Sequence, residues 1–435
     1  MKKTRYLLLS AIFLSVNSWG APVFLPTGSN LTLGSGSNLQ LVSAYTNNPA
    51  MPAMSLEWEE WAMGVGVFSS IGGGYEIGQV DNLQDDLDAL SSELNNQQDL
   101  TLDKAEALKA KFDSFLLKAG ENGYLNVYGG MEGPLSPLIL TSRGLLGGSL
   151  VFDGNISGEV GISVLDAPLK VNQLAPPGSI LETNTALYIK TAMIGEASMS
   201  YSRPVHMSDT GTLTLGLRGV YYMAGLRKTL IGLAVADDMG TIADEERKKT
   251  IDFQSAFGID AGLLWQTRNH RIGVMGKNLN SPFIDYQPIG ENCEQKTGAA
   301  QDACLIAVSF AEEISLKERW VMDPQANVEL AWFNDGLDTI GQVTFDTNPV
   351  HDPIGNRFQW MTISGGFLTK SWLVPGIRLG IRKNMAGSKL TYATAGFTLF
   401  KFMNLDVGYS AQSIAVDGQG QPRSAYVNLG LELLF

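Results

Sequence analysis

The segment Ser424-Ala-Tyr-Val-Asn-Leu-Gly-Leu-Glu-Leu-Leu-Phe435 alternates between two kinds of side chain. One set is apolar throughout and consists of Ala425, Val427, Leu429, Leu431, Leu433 and Phe435. The other is mostly polar or small and consists of Ser424, Tyr426, Asn428, Gly430, Glu432 and Leu434. Successive side chains of a β-strand point to opposite faces, so the segment predicts a strand with one apolar and one mostly polar face.

The same alternation recurs upstream, in residues 212–218, 325–332 and 373–382. The side chains that oppose the apolar ones there and in the last segment are candidates to line an interior: Gln325, Asn327, Glu329, Arg378, Arg382, Asn428 and Glu432. In a soluble sandwich the apolar face would pack on a second sheet. In a membrane barrel it would face lipid, and the polar face would line a lumen.

The connections between these segments favour the membrane barrel. Short links occur at 266–270, 334–338, 369–371 and 401–403, and they alternate with longer, more polar links at 281–319, 347–357, 384–388 and 417–423. Outer-membrane barrels show this alternation of short periplasmic turns and long outer loops. We therefore predict an antiparallel barrel over residues 57–435 with about fourteen strands. Twelve or sixteen are the alternatives, for instance if the longest strands are split, as at 153–155.

Tryptophan positions support the same interpretation. Beyond the first twenty residues, tryptophans occur at or near predicted strand ends, at positions 58, 61, 265, 320, 332, 360 and 372. Indole rings favour the boundary between lipid headgroups and hydrocarbon.

Composition and the start of the chain predict export. Of the 435 residues 17% are charged, and beyond residue 20 no stretch offers the ~20 apolar residues of a membrane helix. Residues 1–20 place Lys2, Lys3 and Arg5 before a short apolar run, which predicts a cleaved signal peptide. Loss of these three charges takes the formal net charge from −13 to −16. An acidic exported protein is poorly suited to bind nucleic acid.

Two segments do not fit the strand pattern. Residues 21–56 are rich in Gly, Ser, Asn and Pro and predict a hatch inside the lumen. Residues 79–119 contain neither Pro nor Gly, and their apolar residues recur at helical spacing from Val80 to Leu94 and from Leu102 to Phe115. This predicts a helical hairpin with Thr101 as N-cap and Gly120 near the C-cap. It would act as a lid on the barrel or as a surface for a partner protein.

The search for chemistry gives no catalytic centre, no metal site and no cofactor. The three histidines, His206, His270 and His351, have no metal-ligand spacing, and Gly-x-Ser-x-Gly and His-Glu-x-x-His are absent. The two cysteines, Cys293 and Cys304, predict a loop-closing disulfide in an oxidising compartment. We therefore expect the protein not to be an enzyme.

Several motifs resemble the TraF-like conjugal-transfer family of outer-membrane barrels, which is grouped with the long-chain fatty-acid transporters of the FadL type. Asn47-Asn48-Pro49-Ala50 resembles the Asn-Pro-Ala element of FadL-type hatches, and the insertion ending near Gly120 resembles a helical insertion of TraF-like members. Residues 196–203, residues 271–279 and Pro324-Gln325 resemble family strand motifs. The C-terminal residues Asn428, Gly430, Leu433 and Phe435 resemble the signal read by the outer-membrane assembly machinery.

The resemblance implies a barrel in the bacterial outer membrane that contacts lipid and the assembly machinery. One expected function is passive transport of a hydrophobic or amphipathic ligand through the lumen. The alternative is an accessory role in plasmid conjugation, in which the helical hairpin and the disulfide loop contact conjugation proteins. For the lumen candidates, inward Arg and Glu side chains that pair merely to fill space are an equally good interpretation.

Overall fold

The structure is a computed structural model that describes residues 30–36, 41–57, 61–98, 100–142, 146–174, 180–233, 251–369 and 371–434. The predicted signal peptide and Phe435 lie outside the described residues, as do parts of the predicted hatch segment.

Fourteen antiparallel strands form one closed barrel, as the alternation predicted. The strands are β1 (Trp61–Ile77), β2 (Tyr124–Glu132 continued by Leu138–Ser142), β3 (Gly148–Leu165), β4 (Ala186–Ser208), β5 (Gly211–Gly232), β6 (Phe253–Gln266), β7 (His270–Lys277), β8 (Gln325–Phe333), β9 (Thr339–Asp346), β10 (Trp360–Phe367), β11 (Gly376–Asn384), β12 (Thr391–Leu399), β13 (Met403–Ser410) and β14 (Ser424–Leu434). Each strand pairs with its neighbours in the chain, and β14 closes the ring on β1, with Gly64 opposite Leu434. Closure pairs the backbone N–H and C=O groups of what would otherwise be edge strands, because lipid offers them no hydrogen bonds.

Strand β2 is interrupted, whereas β3 is not. The two halves of β2 pair with different parts of β1, and residues 133–137 leave the ladder between them. Opposite this break β1 is bulged against β14 between Gly66 and Ile71, and the Ser69 hydroxyl donates a 2.6 Å hydrogen bond to the Ser136 carbonyl. The alternative split at 153–155 is wrong, because β3 pairs with β4 without a break from Ser149 to Leu165.

The two ends of the barrel differ. One end, here called the turn end, carries short links such as 209–210, 267–269 and 400–402, together with the start of β1 and the end of β14. The other, here called the loop end, carries the long connections, including 278–324 and 347–359. The predicted alternation of short and long links holds except at one pair. The link 368–375, predicted to be short, has eight residues, whereas the link 385–390, predicted to be longer, has six.

Side chains alternate between the lumen and the exterior as predicted. In β11, Ile377, Leu379 and Ile381 are 43%, 61% and 62% exposed on the outside, whereas Arg378 and Arg382 are 0% and 5% exposed inside. In β14, Val427 and Leu429 face outward, and Asn428 and Glu432 are buried. An apolar exterior around a polar interior is the arrangement of a transmembrane barrel. No helix of the described residues has the length and apolar character to cross a membrane.

The helical hairpin packs on the loop end. It consists of α2 (Leu83–Asn95) and α3 (Leu102–Asn122), following a short α1 (Asn30–Leu33) inside the barrel. Its apolar face, including Leu90 and Phe112, shares a core with Val164, Leu169, Leu181, Leu187 and Leu233. Helix α3 begins after Thr101 as predicted, but the prediction that it ends at Gly120 is wrong. Gly120 lies inside the helix, which ends at Asn122, and glycine is required there because a Cβ atom would meet Asp166 Oδ1 at 1.8 Å.

Two tryptophans depart from the predicted position at the membrane boundary. Trp332 and Trp372 are 46% and 57% exposed, in agreement with the prediction, but Trp320 and Trp360 are buried in the lumen core. Trp360 begins a strand as expected, yet its side chain points inward. Proximity to a strand end therefore did not determine which face the ring occupies.

Candidate functional site

The described part of the N-terminal segment lies in the lumen. Helix α1 and two 3-10 helices, Val42–Thr46 and Met51–Glu57, contact the inner face of the wall. Val42, Tyr45, Met51 and Met54 share an apolar cluster with Ile139, Val151 and Leu264 of the wall. Residues 30–36 and 41–57 are called the hatch below.

The Asn47-Asn48-Pro49-Ala50 motif holds the hatch together and joins it to the wall. Asn47 and Asn30 exchange two side-chain hydrogen bonds of 2.7 Å each. Asn48 Nδ2 donates to the Val274 carbonyl of β7 at 3.2 Å, and Asn48 Oδ1 accepts the Ala50 N–H at 3.0 Å. Asn48 is 3% exposed, so these bonds satisfy a buried amide.

The wall is indented where the motif meets it. Gly216 and Gly262 are register partners in β5 and β6. A Cβ atom on Gly262 would lie 2.0 Å from Asn48 Oδ1, and one on Gly216 would lie 2.1 Å from the Pro49 carbonyl oxygen. Both distances are below any van der Waals contact, so glycine is needed at both positions for the hatch to seat this deeply.

Charged wall side chains bind the hatch from several sides. The bonds are Arg218 Nη1 to Thr46 O (2.9 Å), Arg382 Nη1 to Asn30 O (3.1 Å), Thr32 Oγ1 to Asp406 Oδ1 (2.5 Å) and Ser43 N to Glu432 Oε2 (2.7 Å). Arg218 is itself paired with Asp260 at 2.5 Å, and Arg378 with Asp406 at 2.6 Å. The hatch is therefore held by charge-assisted bonds, which are stronger than neutral ones.

All seven predicted lumen residues point inward, but their contacts differ. Arg378 pairs with Asp406, Glu329 lies 3.5 Å from Arg271, and Asn428 donates to Ser70 at 2.8 Å. These contacts agree with the interpretation that inward charges pair to fill space. Glu432 holds the hatch, and Asn327 donates to Asp346 at 2.9 Å. The remaining two, Gln325 and Arg382, line a cavity.

This cavity of about 90 Å³ lies between the hatch, the wall and the connection 347–359. Its charged lining groups are Lys277, Asp323, Asp346 and Arg382; its apolar lining is Val350, Phe358 and Trp360; and the hatch contributes Asn30, Gly34, Ser35 and Asn47. The Arg382 guanidinium lies 3.9 Å from the centre of the Trp360 ring. A cationic group stacked on an indole beside polar amides is suited to hold an anion next to an apolar surface.

The two cations of the cavity are under-paired within the described residues. Arg382 Nε is buried without a hydrogen-bond partner there, and Lys277 forms no hydrogen bond or ion pair with another described residue. The carboxylate of Asp346, by contrast, accepts the Asn327 amide and the Trp360 N–H at 2.9 and 2.7 Å. The positive groups are thus the ones with free hydrogen-bonding capacity.

The sequence predictions missed Lys277, Asp346 and Trp360 as lining residues. Lys277 ends a segment in which Arg271, Gly273 and Met275 occupy alternate positions on the inner face, so the strand period could have identified it. Asp346 and Trp360 flank a long connection, where the two-residue period of a strand no longer indicates which way a side chain points.

The disulfide between Cys293 and Cys304 is present, in the long connection 278–324 next to α4 (Ala299–Ser309). The histidines do not converge: His206 stacks on Trp265, and His351 Nδ1 lies 3.1 Å from Asp323. Among the described residues no three His, Cys, Asp or Glu side chains are grouped to hold a metal ion.

Two solved structures align with most of this chain at low sequence identity. The TodX ΔS2S3 mutant monoaromatic hydrocarbon channel aligns with 94% of this chain and 99% of its own, at 10% identity and a TM-score of 0.44. A Pseudomonas aeruginosa FadL homologue aligns with 95% of this chain and 99% of its own, at 12% identity and a TM-score of 0.39. A comparison with curated proteins gives no match.

A family model gives the assignment. The model described as the TraF protein of the F plasmid transfer operon matches residues 45–342. The match begins within the hatch, includes the helical hairpin and the disulfide loop, and extends into β9. Because it spans more than half of the sequence, the chain belongs to this TraF family.

Proposed function

We propose that the protein is an outer-membrane channel for passive passage of amphipathic small molecules that carry an anionic group. The observation that carries the proposal is the lumen cavity with Lys277 and Arg382 beside Trp360, enclosed between the hatch and the wall. The apolar exterior and the alternation of short turns and long loops support the outer-membrane location. The described lumen residues offer charged and polar groups suited to bind a ligand.

The size of the cavity determines how passage would occur. Its volume of about 90 Å³ is smaller than the roughly 150 Å³ of a cavity that accepts benzene. It can therefore hold a headgroup, but not an apolar tail as well. Passage of a whole amphipath requires displacement of the hatch or of the connection 347–359.

Uptake into proteoliposomes tests the proposal. The substrates are a fluorescent long-chain carboxylate and the alcohol of equal length, and the variants are Lys277→Gln and Arg382→Gln. We expect protein-dependent uptake of the carboxylate to exceed that of the alcohol, and both variants to reduce this preference. The control is Arg319→Gln, which removes an exposed loop pair with Asp285. Equal uptake by protein-containing and protein-free liposomes would contradict the proposal.

An accessory role in plasmid conjugation is the second candidate. It is supported by the family, which is described as the TraF protein of the F plasmid transfer operon. In this role the hairpin would present its polar side to a partner, because its apolar face is already packed on the barrel. Deletion of Val80–Ala119 in cells that carry a conjugative plasmid tests this role. A fall in transfer frequency at unchanged barrel level would support it, and unchanged transfer would contradict it.

A further inference from the structure

The connection 347–359, here called the lumen loop, crosses the barrel to the opposite wall. It leaves β9 and returns to β10, yet its tip contacts β2 and β3, half of the ring away. A Cβ atom on Gly161 of β3 would lie 3.1 Å from Ile354 Cδ1 at the tip. Val350, Ile354 and Phe358 are buried in the lumen core. The lumen loop therefore spans the lumen from β9 and β10 to the opposite wall.

Asn356 fixes the tip to β2. Its side chain accepts from Asn126 Nδ2 at 3.1 Å and donates to the Tyr128 hydroxyl at 3.0 Å. The same amide nitrogen donates to Asp352 Oδ2 at 2.9 Å, and Asp352 Oδ1 accepts the Asn356 N–H at 2.6 Å. These bonds place the Asp352 carboxyl group against the wall.

A second carboxyl group faces Asp352 from that wall. Glu159 of β3 is the register partner of Tyr128 and points into the lumen. It is 1% exposed, and neither carboxyl oxygen has a hydrogen-bond partner among the described residues. Asp352 is also 1% exposed. The Tyr128 hydroxyl and Asp352 Oδ2 both accept from the Asn356 amide nitrogen, and Glu159 lies beside Tyr128 on the inner face of the wall. The two buried carboxyl groups are therefore neighbours where the loop tip touches the wall.

The surrounding charges do not neutralise the pair. Lys190 of β4 is the nearest cation, but it is bound to Glu318 at 2.5 Å, and Lys228 of β5 lies 3.3 Å from the same Glu318. His351 pairs with Asp323 in an exposed position. Two phenols, Tyr128 and Tyr286, interact electrostatically with both carboxyl groups. The titratable neighbours of these phenols are again acidic or phenolic: Glu76 and Tyr426 beside Tyr128, and Glu318 and Tyr188 beside Tyr286.

We propose that Glu159 and Asp352 form a proton-dependent latch, which holds the lumen loop across the barrel while at least one of them is protonated and releases it when both are ionised. The significance of the latch for transport rests on the proposed function, whereas its existence does not. Two adjacent carboxylates in a poorly solvated site repel each other, and one proton removes the repulsion.

The pH dependence has a definite sign. Burial raises the pKa of Asp352 above its ordinary value. The closed loop therefore binds more protons than the open one. The stabilisation that protonation gives to the closed loop is full below the ordinary aspartate pKa of about 4. It is lost as the pH rises through the higher pKa of the closed state.

Thiol labelling of the loop tip tests the latch without a transport ligand. The native cysteines are joined in a disulfide, so Ile354→Cys adds one free thiol to the full-length protein. Its labelling rate is divided by that of Leu174→Cys, a position 96% exposed in the connection between β3 and β4, at each pH from about 5 to about 9. We expect this ratio to rise on the order of tenfold across the range, since one unit of pKa corresponds to a factor of ten.

Matched variants identify the latch. Glu159→Gln should keep the ratio low at every pH, because the repulsion cannot develop. Glu132→Gln removes another buried lumen carboxyl group, located nearer the turn end, and should leave the pH profile intact. A flat profile in the parent, or an unchanged profile in Glu159→Gln, would overturn the proposal. So would labelling that depends on EDTA or added Ca²⁺ instead of pH, since that would assign the pair to a metal ion.

Discussion

The Oδ1 atom of Asn48 lies 2.0 Å from the position that a Cβ atom on Gly262 would occupy. The register partner of Gly262, Gly216, makes the corresponding close approach to Pro49. The hatch motif and a pair of wall glycines thus form one fitted contact between segments more than 150 residues apart. The resemblance to FadL-type hatches had identified only the motif.

Replacement of Gly262 by valine should displace the hatch and open the lumen to ions. The new side chain would overlap Asn48 and the Pro49 ring, and overpacking of this kind costs about 1–3 kcal/mol. Conductance in planar bilayers measures the effect, and we expect larger and more frequent openings than in the parent protein. Gly158→Ala in β3 is the control, because nothing lies within 4 Å of its Cβ position. Equal conductance of parent and Gly262→Val would contradict the fitted contact.

Asp406→Asn should loosen the barrel interior more than the double change Arg378→Met with Asp406→Leu. Arg378 is fully buried and pairs with Asp406 at 2.6 Å, so loss of one partner leaves an uncompensated buried charge. Breaking such a pair typically costs about 3–5 kcal/mol, whereas apolar replacement of both partners costs much less. The temperature at which the folded, fast-migrating form disappears on gels gives the comparison. A double variant less stable than the single one would show that the pair contributes net stability.

Removal of the disulfide by Cys293→Ser and Cys304→Ser should affect the long connection 278–324 and spare the barrel. The bond closes a loop with a sequence separation of 11 residues, which corresponds to about 3 kcal/mol in the chain-entropy model. Limited proteolysis should cut the variant faster within this connection, and the barrel core should remain protected. Unchanged cleavage would mean that α4 and its packing hold the loop without the bond.

Leu90→Asp should release the helical hairpin from the loop end. Leu90 is fully buried in the core that α2 and α3 share with the wall, and a carboxylate there would lack a partner. We expect faster proteolysis within 79–119 at unchanged barrel stability. Leu117→Asp on the same hairpin is 55% exposed and should behave like the parent protein. Equal protection of Leu90→Asp would show that other contacts suffice to dock the hairpin.

The sequence predicted the architecture well because the alternation within each strand indicates which side chains face the lumen and which face the exterior. Leu379 outside and Arg378 inside follow from period-two alternation alone. The buried face of Leu87, Leu90 and Leu94 follows in the same way from their helical spacing of three and four residues. The interruption of β2 could not be found in this way, because the chain does not reverse at residues 133–137 and both halves of the strand pair antiparallel with β1.

The candidate site was less predictable because it joins distant segments. Asn30, Lys277 and Trp360 meet at one cavity although no local pattern relates them. The inward-facing ring of Trp360 lies against the Arg382 guanidinium, a tertiary contact that no local pattern encodes. Alternation selects the inward residues, but not which of them pair and which remain available to a ligand.

In the proposed transport mechanism, displacement of the hatch controls passage through a lipid-embedded barrel. A disulfide between Ala53→Cys and Ser202→Cys can lock the hatch, since the Ala53 N–H donates to the Ser202 hydroxyl at 3.1 Å. The direct measurement is carboxylate uptake into proteoliposomes before and after reduction. The parent protein, treated identically, controls for reduction of the native disulfide. We predict that uptake is blocked when the pair is oxidised and restored on reduction, whereas equal uptake in both states would contradict the account.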